Sequence, residues 1–375
     1  MNLKNTICFV FIGGTHQIYH LAPVAAALSK RDDGLSISCM CADAEDEAAL
    51  RGIAYQMQAD RMQIIRMPLP WLARLAMRIT GRKSVGKGPL LAALRWQARH
   101  ARAIIVPERT SAVLRKMGWR RPLFHFRHGA GDRAPASEAR LNAFDLIVVP
   151  GEKDIERAVG RGIDPSRLRI GGYVKLDYLR LAPPSGEPLF DNDRPIVVYN
   201  PHFDASLSSL GMAEKILKLF RQQDRYNLIF APHIRGVEDM SAEEQDRLAS
   251  LAMPGRIIID LGSANLFNMR YTQAADIYLG DMSSQLYEFL ARPRPVAFIN
   301  AHSVPWQNDP RYAGWHLGKV ANHIDDIIGA IDHAVADQQN MAAAQVDAVS
   351  FAFGDYEGAI TRSADIVMEA LLHGD

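Results

Sequence analysis

The sequence contains little cysteine and no long apolar run. Its three cysteines are Cys8, Cys39 and Cys41, and no two of them form a C-x-x-C pair. This usage argues against a secreted disulfide framework, and the spacing of Cys39 and Cys41 fits no common zinc site. No segment approaches the ~18 uninterrupted apolar residues of a membrane-spanning helix. These absences favour a cytoplasmic protein whose chain does not cross a membrane.

Several catalytic motifs are also missing. The sequence has no Walker A motif, no H-E-x-x-H, no G-x-S-x-G, and no D-x-D bracketed by apolar strands. Their absence argues against a P-loop nucleotidase, a zinc protease, a serine hydrolase of the nucleophile-elbow type and a metal-bridged nucleotide site. We expect neither a bound cofactor nor a metal ion.

Apolar, strand-like runs alternate with helical patterns through most of the 375 residues. This alternation predicts an α/β architecture with parallel sheets. The predicted strands cover residues 7–12, 35–41, 62–67, 123–128, 145–150, 168–172, 195–200, 227–232, 256–261, 276–281 and 296–300.

The chain is long enough for two domains. Residues 181–195 are rich in proline, glycine and acid and lack periodicity, which is typical of a linker. We expect a first domain over residues 1–180 and a second over residues 195–354. Residues 355–375 form a helix candidate that returns to the first domain.

Acidic residues are almost absent from one long stretch. Between Arg61 and Arg127 there are sixteen Lys or Arg residues and one acidic residue, Glu108. Apolar and basic residues separate on a helical wheel over residues 71–82, a pattern typical of a helix on an anionic membrane surface. We expect residues 66–105 to lie peripherally on the inner face of the cell membrane. A solvated basic face or a groove for a polyanionic acceptor fits the same pattern, whereas no recognised motif indicates a nucleic-acid partner.

The segment GDMSSQLYEFL, residues 280–290, ends a strand on Asp281 and begins a helix at Ser283 and Ser284. The free N–H groups of a first helical turn bind anions, and two hydroxyls there add donors for a phosphate. Glu288 lies one turn beyond Ser284, where a carboxylate can accept the hydroxyls of a ribose. Plain helix capping by serine and glutamate is the alternative.

The segment FRHGAGDRA, residues 126–134, places a histidine at the end of a predicted strand. Glycine after His128 lets another molecule approach the backbone closely. A neutral histidine there can take a proton from an attacking hydroxyl, and Asp132 either orients it or caps a turn. A structural histidine in a glycine turn is the alternative.

Three further strand exits carry polar residues. Asn200 and His202 open the second domain, while His233 and Arg235 follow a later strand and can donate to a diphosphate. Gly13, Gly14 and His16 follow the first strand, as a phosphate-type loop without the full G-x-G-x-x-G pattern. Each of these sites alone is also compatible with ordinary surface loops.

Taken in order, these motifs resemble the CDP-glycerol glycerophosphotransferase family, the teichoic-acid primases and polymerases. The resemblance covers roughly residues 120–300. It rests on the pair His128-Gly129, the element from Gly172 to Asp177, the strand exit Asn200-Pro201-His202, the pair Pro232-His233, and the set Asp281, Ser283, Ser284, Glu288 and Arg294-Pro295. The chain departs from the family at Phe126-Arg127, where Thr or Trp is usual, and in its short first domain.

The resemblance implies a GT-B fold, with two Rossmann-like domains facing a central cleft and the nucleotide held mainly by the second. It implies transfer from a CDP-linked donor to a hydroxyl of a lipid-linked or polysaccharide acceptor in the synthesis of a cell-envelope polymer. By similarity His128 is the base, His233 steadies the diphosphate, Ser283 and Ser284 bind phosphate oxygens, and Glu288 binds the ribose. Such a site needs no metal if histidine, arginine and a helix N-terminus stabilise the leaving charge.

Three alternatives share this skeleton. A GT-B glycosyltransferase uses the same residues with a UDP-, GDP- or CMP-sugar. An isomerase similar to the UDP-N-acetylglucosamine 2-epimerases turns over a sugar nucleotide without an acceptor. A non-catalytic anion- or membrane-binding protein shows no turnover at all, because fold alone does not fix function.

Overall fold

The computed structural model describes residues 5–68, 87–129, 131–132, 138–184, 186–283 and 285–372. The chain divides into two compact units. The first comprises Met1–His128, Pro135–Pro183 and Phe351–Asp375, and the second comprises Gly129–Ala134 and Pro184–Ser350. The boundary between Pro183 and Pro184 falls inside the segment predicted as a linker, while residues 129–134 are grouped with the second unit.

The first unit is built on a seven-stranded parallel sheet with the order β3-β2-β1-β4-β5-β6-β7. Its strands are β1 (Thr6–Phe11), β2 (Ser36–Cys41), β3 (Gln63–Arg66), β4 (Ala103–Val106), β5 (Leu123–Phe126), β6 (Leu146–Val149) and β7 (Leu168–Ile170). Every residue of β1, β4, β5 and β6 is buried, as expected for parallel strands covered on both faces.

The second unit is built on a six-stranded parallel sheet with the order β10-β9-β8-β11-β12-β13. Its strands are β8 (Ile196–Asn200), β9 (Asn227–Phe230), β10 (Ile257–Ile259), β11 (Ile277–Gly280), β12 (Val296–Ile299) and β13 (Lys319–Ala321).

Helices connect the strands in both units. Those that precede the linker are α1 (Ile18–Ser29), α2 (Ala44–Gln56), α3 (Lys87–Gln97), α4 (Val113–Lys116), α5 (Glu152–Val159) and α6 (Val174–Leu181). Those that follow it are α7 (Ala213–Arg221), α8 (Ile234–Glu238), α9 (Ala242–Ala249), α10 (Arg270–Ala274), α11 (Gln285–Phe289), α12 (Ile327–Ala336), α13 (Gln338–Phe353) and α14 (Ala359–Leu372). In α7 the buried positions recur every three or four residues, so one face of the helix covers the sheet.

The α/β prediction is confirmed, and each of the eleven predicted runs contains a strand. Two strands were missed. The run AIIV of β4 lies inside the basic stretch, and β13 is only three residues long and partly exposed. The predicted helix after Ser283 is present as α11, which ends at Phe289.

The strand order of each sheet determines which of the loops that follow the strands lie next to one another. In the first sheet β1 lies between β2 and β4, and in the second β8 lies between β9 and β11. The connections after these strands depart in opposite directions, which leaves a crevice at their carboxyl ends. The predicted site residues that follow β1, β5, β8, β9 and β11 all lie at these carboxyl edges.

Asp177 anchors the C-terminal helix of the first unit. Its carboxylate accepts hydrogen bonds from the backbone N–H groups of Gly358, at 3.2 Å, and Ile360, at 3.0 Å, at the start of α14. Capping of this kind satisfies donors that have no partner within a helix. The element from Gly172 to Asp177 therefore has a structural role in this chain.

A buried carboxyl group follows β4. Glu108 is 4% exposed and accepts a hydrogen bond from the Ser111 hydroxyl. Its second oxygen, Oε2, has no hydrogen-bond partner in the part of the chain that the structure describes. Burial raises the pKa of this carboxyl from 4.5 to about 7, with Ser111 and Lys87 lowering it in part. Glu108 is therefore partly neutral at physiological pH.

We expect Glu108 to make the stability of the protein depend on pH. Between pH 4.5 and 7 the folded protein binds more protons here than the unfolded chain, so the free energy of unfolding falls as the pH rises. In Glu108→Gln this dependence is absent. The stability of the variant relative to the wild type should rise by on the order of 2–3 kcal/mol between pH 5 and pH 8 in urea unfolding.

The exposed Glu156→Gln in α5 is the matched control, and its stability relative to the wild type should stay constant with pH within roughly 0.5 kcal/mol. A pH-independent difference between Glu108→Gln and the wild type would show that this carboxyl titrates normally.

Candidate functional site

The first unit gathers its polar residues after three neighbouring strands. Gly13, Gly14 and His16 follow β1, Pro107 and Glu108 follow β4, and His128 follows β5. Because β1, β4 and β5 are adjacent and parallel, their carboxyl ends meet at one edge of the sheet. The structure therefore brings together residues that are more than a hundred positions apart in the sequence.

The hydrogen bonds of His128 define its tautomer. Its Nδ1 lies 2.7 Å from the carbonyl oxygen of Pro107. A carbonyl only accepts, so Nδ1 carries the proton, and in the neutral ring Nε2 holds a lone pair. The side-chain nitrogen of Gln17 lies 3.2 Å from Nε2 and donates to it. Nε2 of His128 is thus the atom that can accept a proton from a substrate.

The loop after β1 packs tightly beside His128. Gly14 has a φ of +105°, which favours glycine, and a Cβ on Gly13 would lie 2.0 Å from Oε1 of Gln17. The rings of His16 and His128 are 5.9 Å apart, centre to centre. Gly14 is thus favoured by its backbone conformation, and Gly13 leaves room for the Gln17 side chain. The predicted contact of these glycines with a ligand stays a prediction.

A third histidine, His20, also lies next to His128. The ring of His20, on α1, is 5.9 Å from that of His128 and 5.2 Å from that of Tyr173. Burial lowers the pKa of His20 well below its usual value, and the positive charges of Lys175, His128 and His16 lower it further. His20 is therefore neutral at physiological pH.

Arg127 accounts for the departure from the family motif before His128. Its guanidinium, on a side chain that is 9% exposed, donates to Glu138 at 2.8 Å and forms an ion pair with Asp154, on α5, at 2.8 Å. Arg157 also lies 3.4 Å from Asp154. A buried arginine must be paired in this way, and removing one partner of such a pair is costly. The network fixes the end of β5, next to His128.

Asp132 bonds to other partners within the second unit. Its carboxylate accepts from the Tyr287 hydroxyl, at 2.7 Å, and from the backbone N–H of Gly314, at 2.9 Å. The bond that fixes the His128 tautomer comes from a backbone carbonyl. The orientation of His128 by Asp132 stays a prediction.

Asp281 organises the loop after β8. It is fully buried, and its carboxylate accepts from the backbone N–H of His202 at 2.8 Å, from the backbone N–H of Ser209 at 2.7 Å, and from the Ser209 hydroxyl at 3.0 Å. The Tyr199 hydroxyl lies 2.9 Å from the same serine oxygen. These contacts give Asp281 a positioning role, whereas direct contact with a donor stays a prediction.

Asn200 lies at the end of β8. Its side-chain nitrogen donates to the carbonyl oxygen of Ala231 at 2.6 Å. Its buried Oδ1 has no hydrogen-bond partner within the described ranges. The amide ties the exit of β8 to the exit of β9.

His202 and His233 show the tautomer opposite to that of His128. Nδ1 of His202 accepts from the backbone N–H of Asp204 at 3.0 Å, and Nδ1 of His233 accepts from that of Arg235 at 3.2 Å. In the neutral rings the proton is therefore on Nε2. Burial, with the charges of His202 and Arg235, lowers the pKa of His233 to about 3. His233 is a neutral hydrogen-bond donor through Nε2.

The two rings share a small aromatic cluster. Their centres are 6.3 Å apart, and Phe203 lies between them, 4.3 Å from His202 and 4.8 Å from His233. The guanidinium of Arg235 lies 5.3 Å above the Phe203 ring. The cluster brings two imidazoles and one cation together at the exits of β8 and β9.

The segment after β11 is buried. Ser283 is 6% exposed and Glu288 is 4% exposed. The Ser283 hydroxyl oxygen accepts from the backbone N–H of Gln285 at 3.2 Å, which is the capping geometry. Ser284 lies outside the described residues. The phosphate contact of the serines and the ribose contact of Glu288 stay predictions.

Arg294, in the Arg-Pro pair of the motif, is structural. Its buried guanidinium donates to the carbonyl oxygens of Thr272, at 2.9 Å, Ala275 and Phe289. It therefore satisfies carbonyl groups at the ends of α10 and α11. Desolvation lowers the pKa of Arg294 to about 9.

Sequence reasoning missed Gln17, His20 and Tyr287. One signal was available: His16 and His20 are four residues apart, which places both on one face of a helical segment. The contacts of Gln17 and Tyr287 with distant residues carry no local signal. Within the described ranges, no group of three or more His, Cys, Asp or Glu side chains is arranged to hold a metal ion.

The basic stretch is described only in part. Residues 69–86, which include the predicted amphipathic helix, lie outside the described residues. In α3, Leu90, Leu91 and Leu94 are buried while Trp96 is 68% exposed. The guanidinium of Arg99 lies 4.6 Å above the Trp96 ring. Among the described residues no helix is both long and apolar enough to span a membrane.

No family model matches the sequence, and no curated protein matches it. Solved structures do match. One is a protein from Listeria monocytogenes assigned as a UDP-N-acetylglucosamine 2-epimerase, with a TM-score of 0.69 and 13% identity over 99% of this chain and 97% of that chain. Another is the UDP-GlcNAc 2-epimerase from Neisseria meningitidis bound to UDP-GlcNAc, with a TM-score of 0.59 and 13% identity over 98% of this chain and 100% of that chain.

A third match is a variant of the wall teichoic acid polymerase TagF soaked with CDPG. It has a TM-score of 0.60 and 14% identity over 99% of this chain and 89% of that chain. Identities this low show similarity of fold alone. Together with the seven and six parallel strands, these matches show that the chain has the GT-B fold, made of two parallel α/β units.

Proposed function

We propose that this chain is a nucleotide-dependent transferase. It moves a glycerol-phosphate-like unit from a CDP-linked donor to a hydroxyl of a lipid-linked or polysaccharide acceptor in the synthesis of a cell-envelope polymer. The observation that carries the proposal is the tautomer of His128, whose Nδ1–H is bound to Pro107 and whose Nε2 is a base. An acceptor-activating base is needed for transfer to a hydroxyl.

In the proposed reaction Nε2 of His128 takes the proton of the acceptor hydroxyl. The deprotonated oxygen of the acceptor attacks the β-phosphorus of the donor, and a new O–P bond forms. The bond between the β-phosphorus and the bridging oxygen breaks, and CMP leaves with that oxygen. The Pro107 carbonyl continues to accept from Nδ1–H and so stabilises the imidazolium that forms.

The second unit supports the donor side of this proposal. Nε2–H of His202 and Nε2–H of His233 are donors suited to the charge that develops on the leaving diphosphate oxygen. Arg235 adds a fixed positive charge. Ser283 and Ser284 are proposed to bind phosphate oxygens, and Glu288 is proposed to bind the ribose. We propose no metal in this chemistry.

A second candidate is an isomerase of nucleotide sugars. The likeness to a UDP-N-acetylglucosamine 2-epimerase, at a TM-score of 0.69, favours it. Such an enzyme turns over its substrate without an acceptor. A glycosyltransferase that uses a sugar nucleotide keeps the acceptor requirement and differs only in its donor.

We expect cytidine nucleotides to stabilise the protein best in a thermal-shift panel of CDP, CMP, UDP, GDP and ADP. A ligand at about 100 times its Kd adds about 2.7 kcal/mol to the free energy of unfolding. His233→Asn and Glu288→Gln should lose this shift. The first removes the proposed hydrogen-bond donor to the diphosphate, and the second removes the carboxylate proposed to accept hydrogen bonds from the ribose. The exposed Glu243→Gln in α9 is the matched control and should keep it.

Turnover separates the candidates. Release of CMP from CDP-glycerol should depend on an added acceptor and should fall by roughly 10²–10⁴-fold in His128→Asn. A larger rise of the unfolding midpoint with UDP or GDP than with CDP would indicate that the donor is a sugar nucleotide and not a CDP-linked compound. Conversion of UDP-GlcNAc without an acceptor would support the isomerase. If no nucleotide shifts the midpoint, the catalytic proposal fails.

We also propose that the protein lies on the inner face of the cell membrane through residues 66–105. The exposed Trp96 and the neighbouring Arg95 and Arg99 combine an aromatic ring with positive charge, as interfacial segments do. Membrane contact suits an enzyme whose acceptor is lipid-linked.

Sedimentation with lipid vesicles checks this proposal. The protein should bind vesicles that contain phosphatidylglycerol and should dissociate at high salt, since surface charges are screened. Trp96→Ala should weaken binding several-fold. The matched control is Tyr55→Ala, which changes an aromatic residue that is 85% exposed on the acidic helix α2 and should leave binding unchanged. Equal binding to neutral vesicles, or none to anionic ones, would contradict the proposal.

A further inference from the structure

Gln17 lies in the first unit at the centre of the loop after β1. It is the last residue of a 3-10 turn, Thr15–Gln17, and its backbone N–H donates to the carbonyl oxygen of Gly14 at 3.0 Å. It is only 2% exposed although its side chain is polar. The absence of a side chain at Gly13 leaves the space that the Gln17 amide occupies. The loop is therefore shaped around this amide.

The nitrogen and the oxygen of the Gln17 amide differ in their hydrogen bonding. Its nitrogen lies 3.2 Å from Nε2 of His128 and donates to the lone pair of the base. Its oxygen, Oε1, is buried and has no hydrogen-bond partner in the described residues. Buried polar atoms are almost always bonded, and leaving one unsatisfied costs stability. An unpartnered acceptor beside a base indicates a place where a ligand supplies a donor.

We propose that Gln17 positions the acceptor: an acceptor hydroxyl displaces its amide nitrogen from Nε2 of His128, while a second, neighbouring hydroxyl of the same molecule donates to its Oε1. This inference rests on the proposed function and adds the substrate class. The acceptor carries two adjacent hydroxyl groups, as the end of a polyol does. One hydroxyl gives its proton to His128, and the other only orients the molecule.

The hydrogen bond from Gln17 also tunes the base. A donor to the lone pair of Nε2 stabilises the neutral ring relative to the imidazolium. The other titratable groups nearby are His16, His20 and His125, which face His128, and Lys175, which faces His20. Burial lowers the pKa values of His20 and His125, so both stay neutral as His128 titrates.

Histidine-selective NMR of the full chain, with the His128 signal assigned through His128→Asn, tests the inference without any nucleotide. Gln17→Leu should raise the titration midpoint of His128 by roughly 0.5–1 pH unit, because the stabilising donor is lost. Gln17→Glu should raise it further, by roughly 1–2 units, because a carboxylate favours the imidazolium. The exposed Gln222→Leu, next to α7, is the matched control and should leave the midpoint unchanged.

Small alcohols then test the substrate class. In the wild type, glycerol and 1,2-propanediol should shift the His128 signal at concentrations about tenfold lower than 1-propanol, since the second hydroxyl adds one hydrogen bond. Gln17→Leu should remove this preference. An unchanged midpoint in Gln17→Leu, equal responses to diol and monoalcohol, or no response to any alcohol overturns the inference.

The outcome is separable from that of the proposed function. If both NMR tests give the expected result but no nucleotide binds, the diol site is supported and the transferase function is contradicted. If the protein binds CDP and transfers glycerol phosphate but the NMR tests fail, the transferase function is supported and the role of Gln17 is contradicted.

Discussion

Parallel strand pairing is the constraint on which both candidate sites depend. Because all the paired strands of each sheet run the same way, their following loops must share one edge. In the first unit this brings the carbonyl oxygen of Pro107, after β4, to the imidazole of His128, after β5. In the second it brings the carboxylate of Asp281, after β11, to the loop after β8. The strand order therefore sets the contacts on which the proposed chemistry rests.

The backbone then assigns opposite roles to the same kind of side chain. Nδ1 of His128 donates to a carbonyl, which leaves Nε2 as a base, whereas Nδ1 of His202 and of His233 accept from N–H groups, which leaves Nε2 as a donor. No acidic side chain is needed to make this distinction. A base in one unit and two imidazole N–H donors in the other match the two demands of transfer, proton removal from an acceptor and stabilisation of a leaving group.

Local pattern was enough to predict most strands and the strand exits that carry histidine, because buried parallel strands read as continuous apolar runs. It did not predict β4, which lies inside the basic stretch, or β13, whose three residues are partly exposed. At the site, the positions of His128 and His233 followed from the pattern, whereas the partners of Asp132, Asp281 and Gln17 are set by tertiary contacts that no local pattern encodes. Arg294 and Asp177 were included in the resemblance to a family, yet in this chain both satisfy backbone groups at helix ends.

Backbone contacts fix opposite tautomers of His128 and His233 in the two units. Long-range ¹H–¹⁵N correlation spectra of the imidazole rings at neutral pH measure this directly. We predict a neutral His128 protonated at Nδ1 and a neutral His233 protonated at Nε2. A His128 protonated at Nε2, or a His233 protonated at Nδ1, would contradict it, because the proposed base would then hold no lone pair toward its substrate or the proposed donor no proton.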